Sequence, residues 1–158
     1  MYMTKAPASD EQLVELEKRI DTWLTNELQE SAVILDVSRD DQIPGRWYIR
    51  LNAESRDVTT IWLTLRQRTL KYETYFLPEP EENQLQLYEF LLRRNYELVG
   101  AQFGIGPENA LFLTGELPVD AVDELELDRV IGSIWDFVER YWDASLRLGF
   151  SSRFAKDS

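Results

Sequence analysis

Between Ser9 and Glu30 the apolar residues Leu13, Leu16, Ile20, Trp23 and Leu24 recur at steps of three and four, while Glu15, Lys18, Arg19 and Asp21 fall between them. That spacing lines one side of an α-helix and leaves the charges on the other. Ser9 with Gln12 has the form of a capping box, and Asp10 and Glu11 suit the positive end of the helix dipole. The period then shortens to two. Residues 32–37 read as a strand closed by a turn over 40–45. Trp47, Ile49 and Leu51 alternate with Arg46, Tyr48, Arg50 and Asn52, and Ile61, Leu63 and Leu65 alternate with Thr60, Trp62, Thr64 and Arg66. Such alternation marks half-buried strands. Gln67-Arg68 is short enough to lead straight into a further strand over 70–77, so residues 46–77 are expected to form an antiparallel meander with basic residues on its outer face.

Pro78-Glu79-Pro80 breaks the strand, and Pro80-Glu81-Glu82 suits the first turn of a second helix running to about Tyr96. Leu85, Tyr88, Leu91 and Leu92 mark its apolar face, and Arg93 and Arg94 lie near its negative end. Val99, Ala101, Phe103 and Ile105 then alternate into a turn at Gly106–Asn109 and on to Leu111, Leu113 and Gly115, the pattern of a hairpin. Asp123 with Glu126 repeats the capping-box spacing. The stripe from Leu127 through Val130, Ile131, Ile134, Phe137, Val138 and Tyr141 to Leu148 predicts a long third helix, with Gly149 and Phe150 suited to a left-handed C-terminal cap. The order α-β-β-β-β-α-β-β-α implies an α+β fold, an antiparallel sheet with three helices packed against it. A single domain over residues 9–150 is expected, between a flexible tail at 1–8 and a polar tail at 151–158.

Composition narrows the chemistry. The chain of 158 residues has no Cys and no His, which removes thiolate nucleophiles, Ser-His and Cys-His pairs, and zinc sites built on either residue. Its 29 acidic against 17 basic residues give a formal charge of −12, a field that repels phosphate backbones and anionic lipid surfaces, so neither nucleic acid nor membrane is expected as a partner. The charge is uneven. Residues 36–71 carry seven Lys or Arg against five Asp or Glu, and residues 72–150 carry five against sixteen. There is no apolar run of membrane-spanning length and no signal-peptide pattern, and the expected location is cytoplasmic.

The remaining candidates are weak as chemistry. Asp120, Asp123, Glu124, Glu126 and Asp128 fit no calcium-loop spacing and read as helix capping and solvation. Gly104-Ile105-Gly106 lacks the third glycine and the helix of a phosphate loop and reads as a turn. No catalytic, metal-binding or cofactor-binding residue is assigned. Carboxylate-pair chemistry needs only Asp and Glu, which keeps an acid-dependent hydrolase or divalent-metal enzyme as an alternative class. Aromatic residues are more informative. Trp62 lies on the strand face opposite Ile61, Leu63 and Leu65, and Trp142 lies one step from the stripe of the third helix; both are candidate anchors for a partner.

The segments Leu91-Leu92-Arg93-Arg94-Asn95-Tyr96, Val99-Gly100-Ala101-Gln102-Phe103, Ala110-Leu111-Phe112-Leu113-Thr114-Gly115-Glu116-Leu117-Pro118-Val119 and Glu126-Leu127-Asp128-Arg129-Val130-Ile131-Gly132 resemble the YbjN-domain family, labelled a bacterial sensory transduction regulator. The resemblance covers roughly residues 10–148 and is strongest over 88–132. It implies a fold similar to that of type III secretion chaperones, and a non-enzymatic regulator or chaperone-like protein that holds a protein client. It carries over no catalytic residue. A structural subunit of an obligate complex is the other alternative. The wide apolar arc of the second helix, Leu87, Tyr88, Leu91 and Leu92 with Phe90 beside them, points to a homodimer paired through that helix. A charge at Leu87 or Phe90 is then expected to release monomers.

Overall fold

The computed structural model describes residues 6–154. Helix α1 (Asp10–Glu30) starts as its sequence demands: the Ser9 side chain accepts from the Gln12 N–H while the Gln12 side chain accepts from the Ser9 N–H. Four strands follow in a meander, β1 (Ile34–Arg39), β2 (Arg46–Asn52), β3 (Val58–Leu65) and β4 (Thr69–Leu77). Helix α2 (Gln84–Asn95) leads to the hairpin of β5 (Gln102–Ile105) and β6 (Leu111–Pro118). Helix α3 (Glu124–Gly149) and a short turn, α4 (Ser151–Phe154), close the chain.

All neighbouring strands are antiparallel, in the order β1-β2-β3-β4-β6-β5. The α+β class and the antiparallel sheet expected from the periodicities are what the chain adopts. Strict alternation in β2 and β3 sends Trp47, Ile49, Leu51, Ile61 and Leu63 to one face, and Leu70, Tyr72 and Phe76 of β4 join them there. The three long helices lie on that face. Ile20 and Leu24 of α1, Leu87 and Leu91 of α2, and Leu127, Val130, Ile134 and Val138 of α3 complete one core. The indoles confirm the sidedness: Trp47 Nε1 donates to Asp21 of α1, Trp135 Nε1 of α3 to the Asn52 carbonyl, and Trp142 Nε1 to the Phe76 carbonyl.

Several local expectations give way to tertiary contacts. Pro80-Glu81-Glu82 do not open α2; the Glu81 and Glu82 N–H groups both donate to the Gly149 carbonyl at the end of α3, and the helix begins only at Gln84. Gly149 is not a left-handed cap either. It is the last residue of α3, and the cap residue Phe150 has φ −137°. Among the hairpin residues expected to face inward, Ala101 and Phe103 are buried but Val99 and Ile105 are exposed.

The tails differ as well. Ser151, expected to begin a polar tail, opens the α4 turn, where Ser152 bonds to the Glu82 carboxylate and Arg153 to Glu81. Residues 1–5 and 155–158 of the two expected tails lie outside the described residues, while the Ala8 N–H donates to the Gln67 carbonyl. Among the described residues no helix is long and apolar enough to cross a membrane.

Candidate partner-binding surfaces

Helix α2 is apolar on two sides, and only one of them is used within the domain. Leu87 and Leu91, one turn apart, point into the core; Leu87 is 0% exposed, so the expectation that it meets a partner is wrong, because its whole side chain is consumed by its own domain. Phe90 sits at the border. Its ring is half-buried, with Tyr141 of α3 edge-on at 6.2 Å and the Arg94 guanidinium 5.0 Å from its centre. The outward stripe is built from residues that were only partly singled out. Leu85 is 81% exposed, Leu92 66% and Tyr96 95%, with half-buried Tyr88 between them. Their spacing of three, four and four is the signal that identifies one helical side. A shallow depression runs along this stripe, rimmed by Glu89, Arg93, Arg94 and Glu97.

The second surface is the sheet face without helices. In register across it stand Tyr48 against Trp62, Trp62 against Glu73, Arg50 against Thr60, and Tyr75 against Phe112. Trp62 is half-buried, as its place opposite the core face required: the Tyr48 ring meets it edge-on at 6.0 Å, and the Arg46 guanidinium lies 5.8 Å from its centre. The Tyr48 hydroxyl donates to Asp40. That bond, together with the N–H groups of Gln42 and Ile43, holds the Asp40 carboxyl below its ordinary range, and it raises the Tyr48 hydroxyl. The aromatic pair is therefore anchored from below by strand register and from the side by a charge-assisted bond.

Trp142 is half-buried and committed through its indole N–H to the β4 end. Nearby, Arg56 in the β2–β3 loop reaches inward. Its guanidinium donates to the Thr59 and Thr74 hydroxyls and the Phe76 carbonyl, and burial pushes it down to about 10, with the Glu139 charge opposing that shift. It stays charged at neutral pH. Glu139 accepts from the Glu54 and Ser55 N–H groups and the Ser55 hydroxyl, fixing the loop to α3. The acidic run acts as its helix position suggested: Asp123 caps Glu126, Glu124 pairs with Arg19 of α1, and Glu126 pairs with Arg129. Glu126 thus turns to Arg129 and leaves the second half of the capping box unmade. Among the described residues no group of three or more Asp or Glu converges as a cation site.

The sequence profile of the YbjN family, whose description is "Putative bacterial sensory transduction regulator", matches residues 18–147. The chain belongs to the YbjN family. An uncharacterized protein of Mycobacterium tuberculosis is 31% identical over 116 residues, which cover 73% of this chain and 59% of that protein. One from Mycobacterium leprae is 30% identical over 112 residues, covering 71% and 61%. The match thus spans about three-fifths of these relatives' length. Among solved structures, a chain of the HopA1–SchA chaperone–effector complex superposes with a TM-score of 0.59 at 14% identity, covering 85% of this chain and 97% of that one. At such identity the likeness is one of fold, and it is the chaperone-like fold that the YbjN resemblance implied. Within this YbjN domain the α2 stripe and the open sheet face are on opposite sides of the sheet.

Proposed function

We propose that this YbjN domain is a non-catalytic, chaperone-like protein of the cytoplasm that binds other proteins, and that two copies pair through α2. The observation that carries the reading is the exposed row Leu85, Leu92 and Tyr96, flanked by exposed Val99. A contiguous apolar stripe of this kind, rimmed by polar residues, marks a surface made to be covered. Its spacing suits a second copy. In an antiparallel, two-fold pairing Leu85 of one copy meets Tyr96 of the other and Tyr88 meets Leu92, while Glu89 and Arg93 lie where each faces its opposite charge. A stable pair of this type buries about 1,200 Å² or more in total. The neighbour in fold is a chaperone bound to its effector, which supports a protein client for the surface left free.

Light scattering on the purified chain tests the pairing. The expected mass is twice 18.6 kDa, and Leu92→Glu is expected to halve it without loss of circular dichroism. Leu87→Glu, by contrast, is expected to unfold the domain, because it places a charge in the core. A monomer at high micromolar concentration, or a Leu92→Glu variant that stays dimeric, overturns the pairing.

A further inference from the structure

We propose that the Asn95 side chain closes the β5 edge of the sheet to any further strand, and so keeps copies of this domain from joining sheet to sheet. The inference is independent of the pairing through α2. Among the described residues the sheet ends at β1 on one side and at β5 on the other. An edge strand turns unpaired N–H and C=O groups outward and is a template for another chain, unless a bulge, a charge, a proline or a covering group blunts it. On β1 the guards are ordinary. Its register slips between Ile34 and Asp36, Asp36 and Arg39 are charged, and the Ser31 hydroxyl accepts the Val33 and Ile34 N–H groups.

β5 lacks the first three guards. Gln102, Phe103, Gly104 and Ile105 include no charge and no proline, and they pair with β6 without a register shift. Ile105 is 57% exposed at the end of the strand. The Gly106 N–H donates to the Ala110 carbonyl at 2.8 Å, and from that pair the alternation of an antiparallel ladder follows. Gly104 and Gln102 bond to β6, while Phe103 and Ile105 present their N–H and C=O groups outward. A further strand would bond to these two residues in turn. Asn95, the last residue of α2, occupies the first of them: its Oδ1 accepts the Phe103 N–H at 2.7 Å, and its Nδ2 donates to the Phe103 carbonyl at 3.0 Å. One side-chain amide thus makes both bonds that an incoming strand would make at Phe103. Only Ile105 is left, too little for a strand to hold. An aspartate could not do this, because its carboxylate has no donor for the carbonyl.

The test uses the full chain in a Leu92→Glu background, so that pairing through α2 does not mask the edge, and adds Asn95→Ala or the smaller change Asn95→Ser. By light scattering the background is expected to keep a constant mass from low to high micromolar concentration, whereas each Asn95 variant is expected to show about a doubling of mass or more. By hydrogen exchange the Phe103 amide is expected to lose protection about tenfold in dilute Asn95→Ala and to regain it as the concentration rises, which a merely loosened strand does not do. Ile105→Pro removes an outward N–H and no ladder bond, and in the Asn95→Ala chain it is expected to abolish the rise in mass. The parent supplies a check that needs no variant: the strand peptide Lys-Thr-Val-Thr-Val-Thr-Lys is expected to leave the Phe103 and Ile105 amides unmoved in an NMR titration. Constant mass in both Asn95 variants, Phe103 protection that ignores concentration, association that persists with Ile105→Pro, or saturable shifts of Phe103 and Ile105 in the parent each overturn the proposal. A Leu92→Glu chain that stays dimeric at constant mass counts against the α2 pairing alone.

Discussion

A methyl group on Gly149 would stand 3.0 Å from Leu87 Cδ2 and 3.3 Å from Pro80 Cβ, so the end of α3 and the start of α2 meet at the one residue without a side chain. The other glycine of α3 is different, since around Gly132 nothing beyond its chain neighbours and the adjacent backbone of its own helix lies within 4 Å of where a Cβ would be. Opposite responses follow. Gly149→Val is expected to destabilise by about 1–3 kcal/mol through overpacking. Gly132→Ala is expected to stabilise by about 0.5–1 kcal/mol, because alanine fixes less backbone entropy in a helix. Urea midpoints of the two variants decide it, and a stabilised Gly149→Val would show that this junction is not close-packed.

That contact also shows where sequence reasoning stops. Alternation in β2 and β3 and the capping box at Ser9 are local signals, and the chain obeys them. Gly149 carries an equally good local signal for a left-handed cap, but it stays within α3, where its carbonyl accepts from the N–H groups of Glu81 and Glu82, both remote in sequence. The two-sided apolar pattern of α2 could not by itself say which side is core. Leu87 and Leu91 lie inward, Leu85, Leu92 and Tyr96 outward, and the choice depends on where α3 and β5 dock. Trp62 was legible because a strand has only two faces, so its neighbours Ile61 and Leu63 fix its direction. Arg56 was not, since nothing in a polar loop announces that its guanidinium turns inward to the Phe76 carbonyl.

Glu139 ties the β2–β3 loop to α3 by accepting the Glu54 N–H at 3.0 Å, the Ser55 N–H at 3.0 Å and the Ser55 hydroxyl at 2.9 Å. Its charge is also the main one favouring the charged form of the half-buried Arg56. Glu139→Ala removes the shared acceptor and leaves these donors to water or to nothing. The expected loss is about 1–3 kcal/mol, with increased amide exchange confined at first to residues 53–57. Glu139→Gln retains an acceptor oxygen and should lose less. Equal stability of the alanine variant and the parent would mean that the loop is held by Trp135 and Arg56 alone.

The Glu82 carboxylate accepts the backbone N–H of Ser152 and its hydroxyl, and these two bonds, in that order, hold its pKa below the ordinary 4.5. A carboxyl depressed in the folded state contributes stability that is complete above its unfolded value and is lost as the pH falls through the folded one. The clasp between Glu82 and the α4 turn is therefore closed at neutral pH and opens only in acid, at a pH under 4.5. In an NMR pH titration the Ser152 amide is expected to move upfield as that bond breaks, with a midpoint under 4.5, and in Glu82→Gln this step is expected to vanish. The ion pair of Arg153 with Glu81 remains in that variant, so the turn stays near α2 and the change isolates the Glu82 bonds. A Ser152 midpoint at or above 4.5, or one that survives in Glu82→Gln, would show that another group governs the release of the C-terminal turn.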